Sequence, residues 1–349
     1  MSNPTLILVP GSWHQPACYD KIVKILHGTY RLKCVGVTLP SASDNPGATV
    51  KNDIDAVREA MKKEFRKGRD VVVVAHSYGG LVANSAIKGF AKPQKPQSQE
   101  IVMADEDEES KSNMPFLFPR SSSSKSSSSH TTTTGHVVGL VLIASGFSLE
   151  GLAFMDPFLG HPPPYWRVNR STGYCEFTGD TRELFYHDLP EEEGEYWVSQ
   201  LTNQSVKSLF EGGEHVTEGW RDVPSWYLGT TEDHGMPVAA QRMTVGMARA
   251  MGAEVEHREL PTSHSPFLSM PKETAGFILE AVEAFTGRQV AAAASKGGLS
   301  KRNSGVLFPA FRFWEPLTWL RYGLPLGFGH VLGKGVLAYG WLRSMWRSR

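Results

Sequence analysis

The chain has 349 residues, of which 40% are hydrophobic and 21% charged, a composition that is ordinary for a globular protein with a large core. Its formal net charge of zero gives no indication of a nucleic-acid partner. The chain has only three cysteines, and this small, odd number does not indicate a disulfide framework. The N-terminus has no basic region, and the apolar run Thr5–Val9 is too short for a signal peptide, so we expect a cytoplasmic protein.

Short apolar runs rich in Val, Ile and Leu alternate with helical stretches along the chain. Six runs predict buried parallel strands: Thr5–Val9, Leu32–Leu39, Asp70–Ala75, Val137–Ala144, Ser225–Gly229 and Val255–Leu260. The predicted helices are Ala17–His27, Thr49–Lys67, Leu81–Ala91, Val238–Met251 and Lys272–Phe285. This alternation predicts an α/β fold, in which helices cover both faces of a doubly wound, mostly parallel sheet.

Two segments interrupt the alternation. Residues 92–136 contain an acidic run and a serine-rich run, and they are too polar to bury a core. We expect a disordered, low-complexity surface insert, and we prefer a passive loop expansion to a phosphorylation platform. Residues 148–222 are crowded with Phe, Tyr, Trp and Pro and lie between the fourth and fifth strands. A lid inserted over the edge of the sheet is expected there.

A serine follows the third strand in the sequence Ala75-His-Ser-Tyr-Gly79, and a helix comes next. A serine at the tip of a strand–turn–helix has its hydroxyl raised above the sheet, and small residues two positions before and after it let neighbouring backbone pass. Ala75 and Gly79 are those small residues here. We therefore predict that Ser77 is a nucleophile and that the amides at the start of the helix face developing negative charge.

A serine nucleophile needs a base, and the base needs a third group to orient it. His264 follows the sixth predicted strand, and Asp233 follows the fifth. All three residues thus come after parallel strands, at the edge where open α/β sheets bind their ligands. We predict Asp233 as the acid and keep Glu232 as its competitor. Backbone amides of Ser12, in the loop after the first strand, and of Tyr78 are the predicted oxyanion-hole donors.

Three motifs carry a family resemblance: Leu8-Val-Pro-Gly-Ser-Trp-His14, Ala75-His-Ser-Tyr-Gly-Gly80 and Ser263-His-Ser-Pro-Phe-Leu-Ser269. They resemble the plant methylesterase and hydroxynitrile lyase family of α/β-hydrolases, and more closely its bacterial and fungal esterase-like relatives. The resemblance runs from Thr5 to about Phe285 without the insert. It implies an α/β-hydrolase domain at 1–287 and a triad of Ser77, Asp233 and His264.

Some residues of this chain differ from those of related enzymes, and the differences argue against several reactions known for this fold. The lyases carry a Thr in the oxyanion loop and a Lys directly after the catalytic His, and the matching residues here are Gly11 and Ser265. The resemblance therefore argues against cyanohydrin cleavage. Dehalogenases and epoxide hydrolases of this fold use an Asp nucleophile, whereas position 77 is Ser.

The preferred hypothesis is a serine hydrolase that cleaves a carboxylic ester or thioester of a small, largely apolar molecule, in fungal specialised metabolism. Residues predicted to line the substrate pocket are Trp13, His14, Phe147, Phe158 and Trp166. One alternative keeps the triad for acyl transfer, cyclisation or C–C cleavage of a polyketide-type intermediate. Another is a non-catalytic small-molecule sensor. No ligand spacing for a metal and no Gly-rich phosphate loop occurs, so we expect neither metal nor cofactor.

The C-terminal segment 288–349 differs in charge from the rest of the chain. It holds ten Lys or Arg and one acid, Glu315, so the body before it carries nine net negative charges. Its first part reads as a linker, and 308–349 combines aromatic, apolar and basic residues. We expect either a peripheral membrane contact through 308–349 or a helical hairpin packed on the body.

Overall fold

The computed structural model describes residues 3–92, 135–291, 305–309 and 315–347. The predicted disordered insert 92–136 falls almost wholly outside the described residues. Six parallel strands form the main sheet in the order β2-β1-β3-β4-β8-β9. Their bounds are β1 (Thr5–Val9), β2 (Cys34–Gly36), β3 (Val71–His76), β4 (Val137–Ile143), β8 (Ser225–Thr230) and β9 (Val255–Leu260).

Helices follow the strands as the sequence predicts, and α1 packs beside α9 while α2 packs beside α3. The principal helices of the body are α1 (Asp20–Tyr30), α2 (Val50–Phe65), α3 (Tyr78–Ile87), α7 (Val238–Ala250), α8 (Pro266–Ser269) and α9 (Pro271–Thr286). Every residue of β1 and of β3 is buried, as strands with helices on both faces must be. The predicted doubly wound α/β fold is confirmed.

The order of the strands defines where a ligand would bind. β2 lies on one side of β1 and β3 on the other, so the winding direction reverses between β1 and β3. In open α/β sheets the crevice at such a reversal, beyond the carboxyl ends of the strands, is the usual ligand site. Val9 is paired with Ala75 across these strands, so the loop after β1 and the turn after β3 emerge side by side.

Residues 148–222 form an insertion between β4 and β8, called here the β4–β8 insertion. Its core is a three-stranded antiparallel sheet, which the sequence did not predict. The strands are β5 (Trp166–Asn169), β6 (Tyr174–Phe177) and β7 (Gln204–Ser205), and the short helices are α4 (Thr181–Phe185), α5 (Glu191–Ser199) and α6 (Val206–Phe210). The strands escaped prediction because runs of two to four residues are too short to show a period.

Several predicted bounds were wrong. The second strand is β2 alone rather than Leu32–Leu39, because it is an edge strand and a 3₁₀ turn that begins at Pro40 ends the extended segment after it. The first helix begins at Asp20, since a separate 3₁₀ turn occupies Pro16–Tyr19. The third begins at Tyr78 instead of Leu81, immediately after the sharp turn at Ser77.

The C-terminal tail contains a short helix, α10 (Pro316–Thr318), a π-helical turn at Trp319–Gly323 and a long helix, α11 (Leu324–Arg347). α11 packs along α7. Leu307 adds an isolated antiparallel bridge to Glu259 of β9. The described part of the tail therefore packs on the body through one long helix rather than through a hairpin of two helices, and the alternative of a membrane contact stays a prediction. No helix of the described ranges is both long enough and apolar enough to cross a membrane.

Candidate active site

Ser77 occupies the turn between β3 and α3 with φ 51° and ψ −127°, a conformation that residues other than glycine rarely adopt. Its amide donates a hydrogen bond to the carbonyl of Ile143 at 3.1 Å. The Ser145 hydroxyl donates to the Ser77 carbonyl at 2.6 Å. These bonds to the end of β4 hold the turn in its strained form and keep the half-buried serine at the carboxyl edge of the sheet.

Two glycines let the loop after β1 touch this turn. A Cβ at Gly79 would lie 2.3 Å from the carbonyl oxygen of Pro10, a distance that no side chain tolerates. A Cβ at Gly11 would lie 2.9 Å from the Cβ of Ser77. Gly79, which the sequence motif requires, and Gly11 therefore bring the loop after β1 and the serine turn into contact.

His264 and Asp233 form a buried pair at the ends of β9 and β8. The Nδ1 of His264 lies 2.7 Å from Oδ2 of Asp233, and the residues are 3% and 6% exposed. Four further donors bind the carboxylate: the Gly235 and Met236 amides at 2.8 and 2.7 Å, the Thr230 hydroxyl at 2.7 Å and the Gln241 amide at 3.1 Å. Such a saturated carboxylate is fixed in place and orients the imidazole.

Glu232, the competing acid, is exposed, whereas Asp233 is buried. The backbone amide of Glu232 donates to the carbonyl of Thr262 at 3.1 Å, which holds residue 232 at the surface of the loop. The arrangement therefore favours Asp233 over Glu232 as the partner of His264.

His76 connects His264 to the nucleophile turn. Its Nε2 donates to the backbone carbonyl of His264 at 2.9 Å, and the two rings lie 4.6 Å apart. Burial, with His264 and His14 nearby, lowers the pKa of His76 well below its usual value, so His76 is neutral. Among the described residues, His264 makes no hydrogen bond to the Ser77 hydroxyl. Catalytic hydrogen bonds of this kind are often long in enzymes without substrate, and they shorten when the substrate binds.

The loop of residues 10–14, called here the oxyanion loop, holds the predicted donor Ser12. Trp13 in this loop has φ 62°, and the side-chain oxygen of Gln204 accepts its amide at 3.2 Å. The Thr202 amide donates to the Trp13 carbonyl at 2.8 Å. Tyr78, the second predicted donor, is the first residue of α3, where amides have no acceptor within the helix.

His14 is buried in this loop with both ring nitrogens occupied. Nδ1 donates to the Ser12 carbonyl at 2.7 Å, and Nε2 accepts from the Tyr186 hydroxyl at 2.8 Å. Burial lowers the pKa of His14 to about 4, although the bond to Ser12 opposes this shift. His14 is therefore neutral near pH 7 and braces the oxyanion loop against the β4–β8 insertion.

The five predicted pocket residues lie in three places. Trp13, Trp166 and His14 belong to one buried aromatic cluster, and the ring of Phe185 lies 5.4 Å from His14 and 5.6 Å from His264. Phe147 packs instead against Trp220 and Tyr227. Phe158 is 55% exposed at the surface of the insertion. Phe185 contacts both the oxyanion loop and His264, so it is a better candidate than Phe158 for a residue that lines the substrate pocket.

Sequence patterns missed the network behind Tyr78. The buried carboxylate of Asp53 accepts from the Tyr78 hydroxyl at 2.7 Å and from the Ser41 amide at 2.9 Å. Burial raises the pKa of Asp53 to about 6, against the opposing effect of these bonds. The one signal in the sequence was an acidic residue on the inner face of a helix that otherwise buries apolar side chains there.

One group of side chains within the described ranges could hold a metal ion. Glu183, His187 and His234 each offer a ligand atom, and these atoms lie within 4.8 Å of one another. The two imidazoles stack 4.2 Å apart, and each Nδ1 lies 3.1 Å from the Glu183 carbonyl. No metal-ligand spacing is visible in the sequence, because His234 lies far along the chain from Glu183 and His187, beside Asp233. The group joins the β4–β8 insertion to the loop of residues 231–237, called here the acid loop.

The sequence profile of the Alpha/beta hydrolase family matches residues 6–277. With its fold and site geometry described above, the chain belongs to the α/β-hydrolase family, as the resemblance in its sequence motifs implies. The chain is 26% identical over 277 residues to "Alpha/beta hydrolase nvfD" of Aspergillus novofumigatus, which covers 78% of this chain and 93% of that protein. It is 32% identical over 90 residues to "Probable hydrolase R7" of a Phoma species, covering 25% and 36%.

Solved structures share the fold at low identity. A pyrethroid hydrolase from Sphingobium faniae superposes with a TM-score of 0.55 at 16% identity, over 82% of this chain and 100% of that one. Polyneuridine aldehyde esterase gives 0.56 at 17% identity, over 80% and 99%. Identities in this range establish a common fold and nothing finer.

Proposed function

We propose that the protein is a serine hydrolase that cleaves a carboxylic ester or thioester of a small, largely apolar molecule through an acyl-enzyme. The observation that carries this proposal is the buried His264–Asp233 pair, with its saturated carboxylate, beside a serine in a strained strand-to-helix turn. A purely structural serine has no need for a left-handed backbone conformation, or for the two glycines that bring the loop after β1 against its turn. The hypothesis of a non-catalytic sensor explains neither the strained serine turn nor the close packing around it.

In the proposed mechanism, Ser77 Oγ attacks the substrate carbonyl while His264 Nε2 accepts the hydroxyl proton. Asp233 keeps the proton of His264 on Nδ1 and stabilises the imidazolium that forms. The amides of Ser12 and Tyr78 stabilise the tetrahedral oxyanion. His264 then protonates the departing alcohol or thiol, and water, activated by the same histidine, releases the acid from Ser77.

The aromatic cluster supports an apolar substrate. The ring of Trp13 lies 4.6 Å from Phe177 and 5.8 Å from Trp166, so the insertion surrounds the oxyanion loop with apolar surface. We propose that the β4–β8 insertion acts as a lid and supplies the pocket walls. We place this activity in fungal specialised metabolism, and the similarity to hydrolases from Aspergillus and Phoma supports the fungal part of that proposal.

Intact mass spectrometry with a fluorophosphonate probe tests the mechanism directly. The wild-type protein should gain one adduct on Ser77 and should hydrolyse short nitrophenyl esters. Ser77→Ala and His264→Ala should lose about a million-fold in turnover, as other triads do. Equal labelling of Ser77→Ala, or activity above about one per cent of wild type, contradicts an acyl-enzyme at this residue.

A second candidate keeps the acyl-enzyme and changes the acceptor. Water exclusion by the aromatic cluster would favour transfer of the acyl group to a bound alcohol or amine, or ring closure within the acyl chain. C–C cleavage of a polyketide-type intermediate uses the same oxyanion hole. Product analysis with a thioester panel and competing nucleophiles separates these outcomes, because hydrolysis alone yields the free acid.

A further inference from the structure

α11 packs against α7 along a seam of glycines. A Cβ at Gly329 would lie 1.9 Å from the carbonyl oxygen of Met243, and a Cβ at Gly246 would lie 2.2 Å from that of Leu326. Backbones approach this closely only where side chains are absent. Gly333 continues the seam one turn later, against Met247. One face of α11 therefore packs against α7 of the body.

Arg242 of α7 fixes the start of the tail in its orientation. Its guanidinium forms two 2.7 Å bonds to Glu259 and a third, also 2.7 Å, to the backbone carbonyl of Arg321. The same group lies 4.3 Å from the ring centre of Tyr322. Because the guanidinium is buried and makes three hydrogen bonds, the helix cannot rotate about its axis without breaking this cluster. The opposite face of α11 is thereby set to point outward.

That outward face is apolar. Phe328 is 64% exposed, Val331 69% and Leu324 59%. Leu332, Tyr339 and Leu342 are exposed as well. Of the exposed residues from 324 to 342, only His330 and Lys334 are strongly polar. A contiguous apolar surface of this kind is unusual on a soluble monomer and marks an interaction site.

The helix also extends beyond its support. α7 has 13 residues and α11 has 24, so α11 is longer by about 16 Å at 1.5 Å per residue. The two helices run in the same direction, since Leu320 and Leu324 lie beside Pro237 while Gly333 lies beside Met247. The second half of α11 therefore projects past the end of α7 with its apolar side chains exposed.

Charge selects the partner. From Arg321 onward the tail carries five basic residues and no acid: Arg321, Lys334, Arg343, Arg347 and Arg349. A second copy of the chain would bring like charges together over the apolar face. An anionic lipid surface offers both an apolar interior for Phe328 and Val331 and negative headgroups for Arg321 and Lys334.

We propose that the outward face of α11 docks on anionic membrane surfaces, with the helix lying along the interface and the seam to α7 intact. A groove of about 490 Å³ opens between the two helices and is lined by Pro237, Met243, Leu320, Leu324 and Phe328, among others. Pro237 directly precedes α7 and ends the acid loop. Docking thus brings the lipid surface beside the edge of the sheet that holds Asp233, where an apolar substrate would enter.

Vesicle sedimentation of the full-length protein tests the proposal. Vesicles of phosphatidylcholine with 30% phosphatidylserine should bind the wild-type protein, and high salt should weaken binding. Replacing Phe328, Val331 and Tyr339 together by Ser should weaken binding at least about tenfold, because the buried apolar area is lost. Arg321→Gln with Lys334→Gln should weaken it about fivefold or more on anionic vesicles and little on neutral ones.

A matched control replaces Leu152, Leu159 and Tyr196 by Ser, since these side chains are also exposed but lie on the β4–β8 insertion. This control should bind vesicles as wild type does, and all variants should keep their melting temperature. Wild-type protein that ignores anionic vesicles, or a triple α11 variant that binds like wild type, overturns the proposal. A dimer that the α11 triple variant abolishes, without lipid binding, assigns the face to a second copy. Binding that appears only after deletion of Ser98–Thr134 assigns it to that segment.

Discussion

The acid loop and the oxyanion loop flank the same serine, yet they are held in place by different parts of the chain. All four donors to the Asp233 carboxylate other than His264 come from residues 230–241. The oxyanion loop depends on distant residues: Cys175, Tyr186, Thr202 and Gln204 all hydrogen-bond to Trp13 or His14. Each of these four belongs to the β4–β8 insertion.

Because of this difference, the acid loop and the oxyanion loop depend on different parts of the chain for their conformations. The acid half forms once β8 and α7 are folded, because its contacts are local in sequence. The oxyanion half has its full set of hydrogen bonds only when the insertion is docked, since Gln204 accepts the Trp13 amide and Thr202 donates to its carbonyl. The insertion therefore supports the conformation of the oxyanion loop through hydrogen bonds, in addition to its proposed role as a lid.

The largest effect separates the two acidic residues of the acid loop. Asp233→Asn should lower kcat by about 10⁴, because the neutral amide no longer fixes the His264 tautomer. Glu232→Gln, which changes an exposed side chain on the same loop, should leave kcat within about twofold. Steady-state kinetics on one ester would decide, and a more damaging Glu232 variant would make Glu232 the acid.

A pair of buried glutamines compares the two halves directly. Gln204→Leu should lower kcat by about 10²-fold with little change in KM, because the oxyanion loop loses its acceptor for the Trp13 amide. Gln241→Leu should lower kcat by less than about tenfold, since Asp233 keeps three other donors. Gln204→Glu retains an acceptor oxygen and should recover part of the loss. Equal effects of the two Leu variants would contradict the proposed dependence on the insertion.

Acid should destabilise the oxyanion half through His14. The pKa of His14 is about 4 in the folded protein, against 6.5 ordinarily. As the pH falls below 6.5, His14 becomes protonated in the unfolded chain, whereas in the folded chain it stays neutral until about pH 4. The contribution of His14 to the free energy of unfolding is therefore complete above pH 6.5 and is lost as the pH falls toward 4. The loss from this group is about 3 kcal/mol.

His14→Gln removes this titration. Urea unfolding at pH 7 and pH 4 should show that wild type loses about 3 kcal/mol more than the variant over this range. If both proteins lose stability in parallel, His14 is charged when folded and its contact with Tyr186 is misassigned.

The sequence predicted the parts of the molecule that repeat or that follow a motif. Runs such as Val71–His76 are buried on both faces and have one simple pattern, so five of the six strands were located closely. Ser77, Asp233 and His264 could be named because each follows a strand whose carboxyl end is predictable. Edge strand β2 was overextended because it lacks a partner on one side.

Contacts that join distant segments had no signal in the sequence. Gln204 in a two-residue strand accepts the amide of Trp13, and Asp53 on α2 accepts the hydroxyl of Tyr78. Hydropathy carries no information about which polar side chain will meet which backbone group across many residues. The Gly246 and Gly329 seam was likewise invisible, because glycines in an apolar stretch read as helix breakers until the neighbouring helix is known.

The backbone of Ser77 has a consequence that does not involve its hydroxyl. With φ 51° and ψ −127°, any L-residue at this position is held away from its preferred conformations at about 1–3 kcal/mol. Glycine has no such preference, although its freer unfolded chain offsets about 1 kcal/mol of the gain. Ser77→Gly should thus be inactive yet melt at a higher temperature than wild type, whereas Ser77→Ala should be inactive without that gain. In the proposed mechanism, the nucleophile therefore occupies a position at which glycine would give a more heat-stable protein.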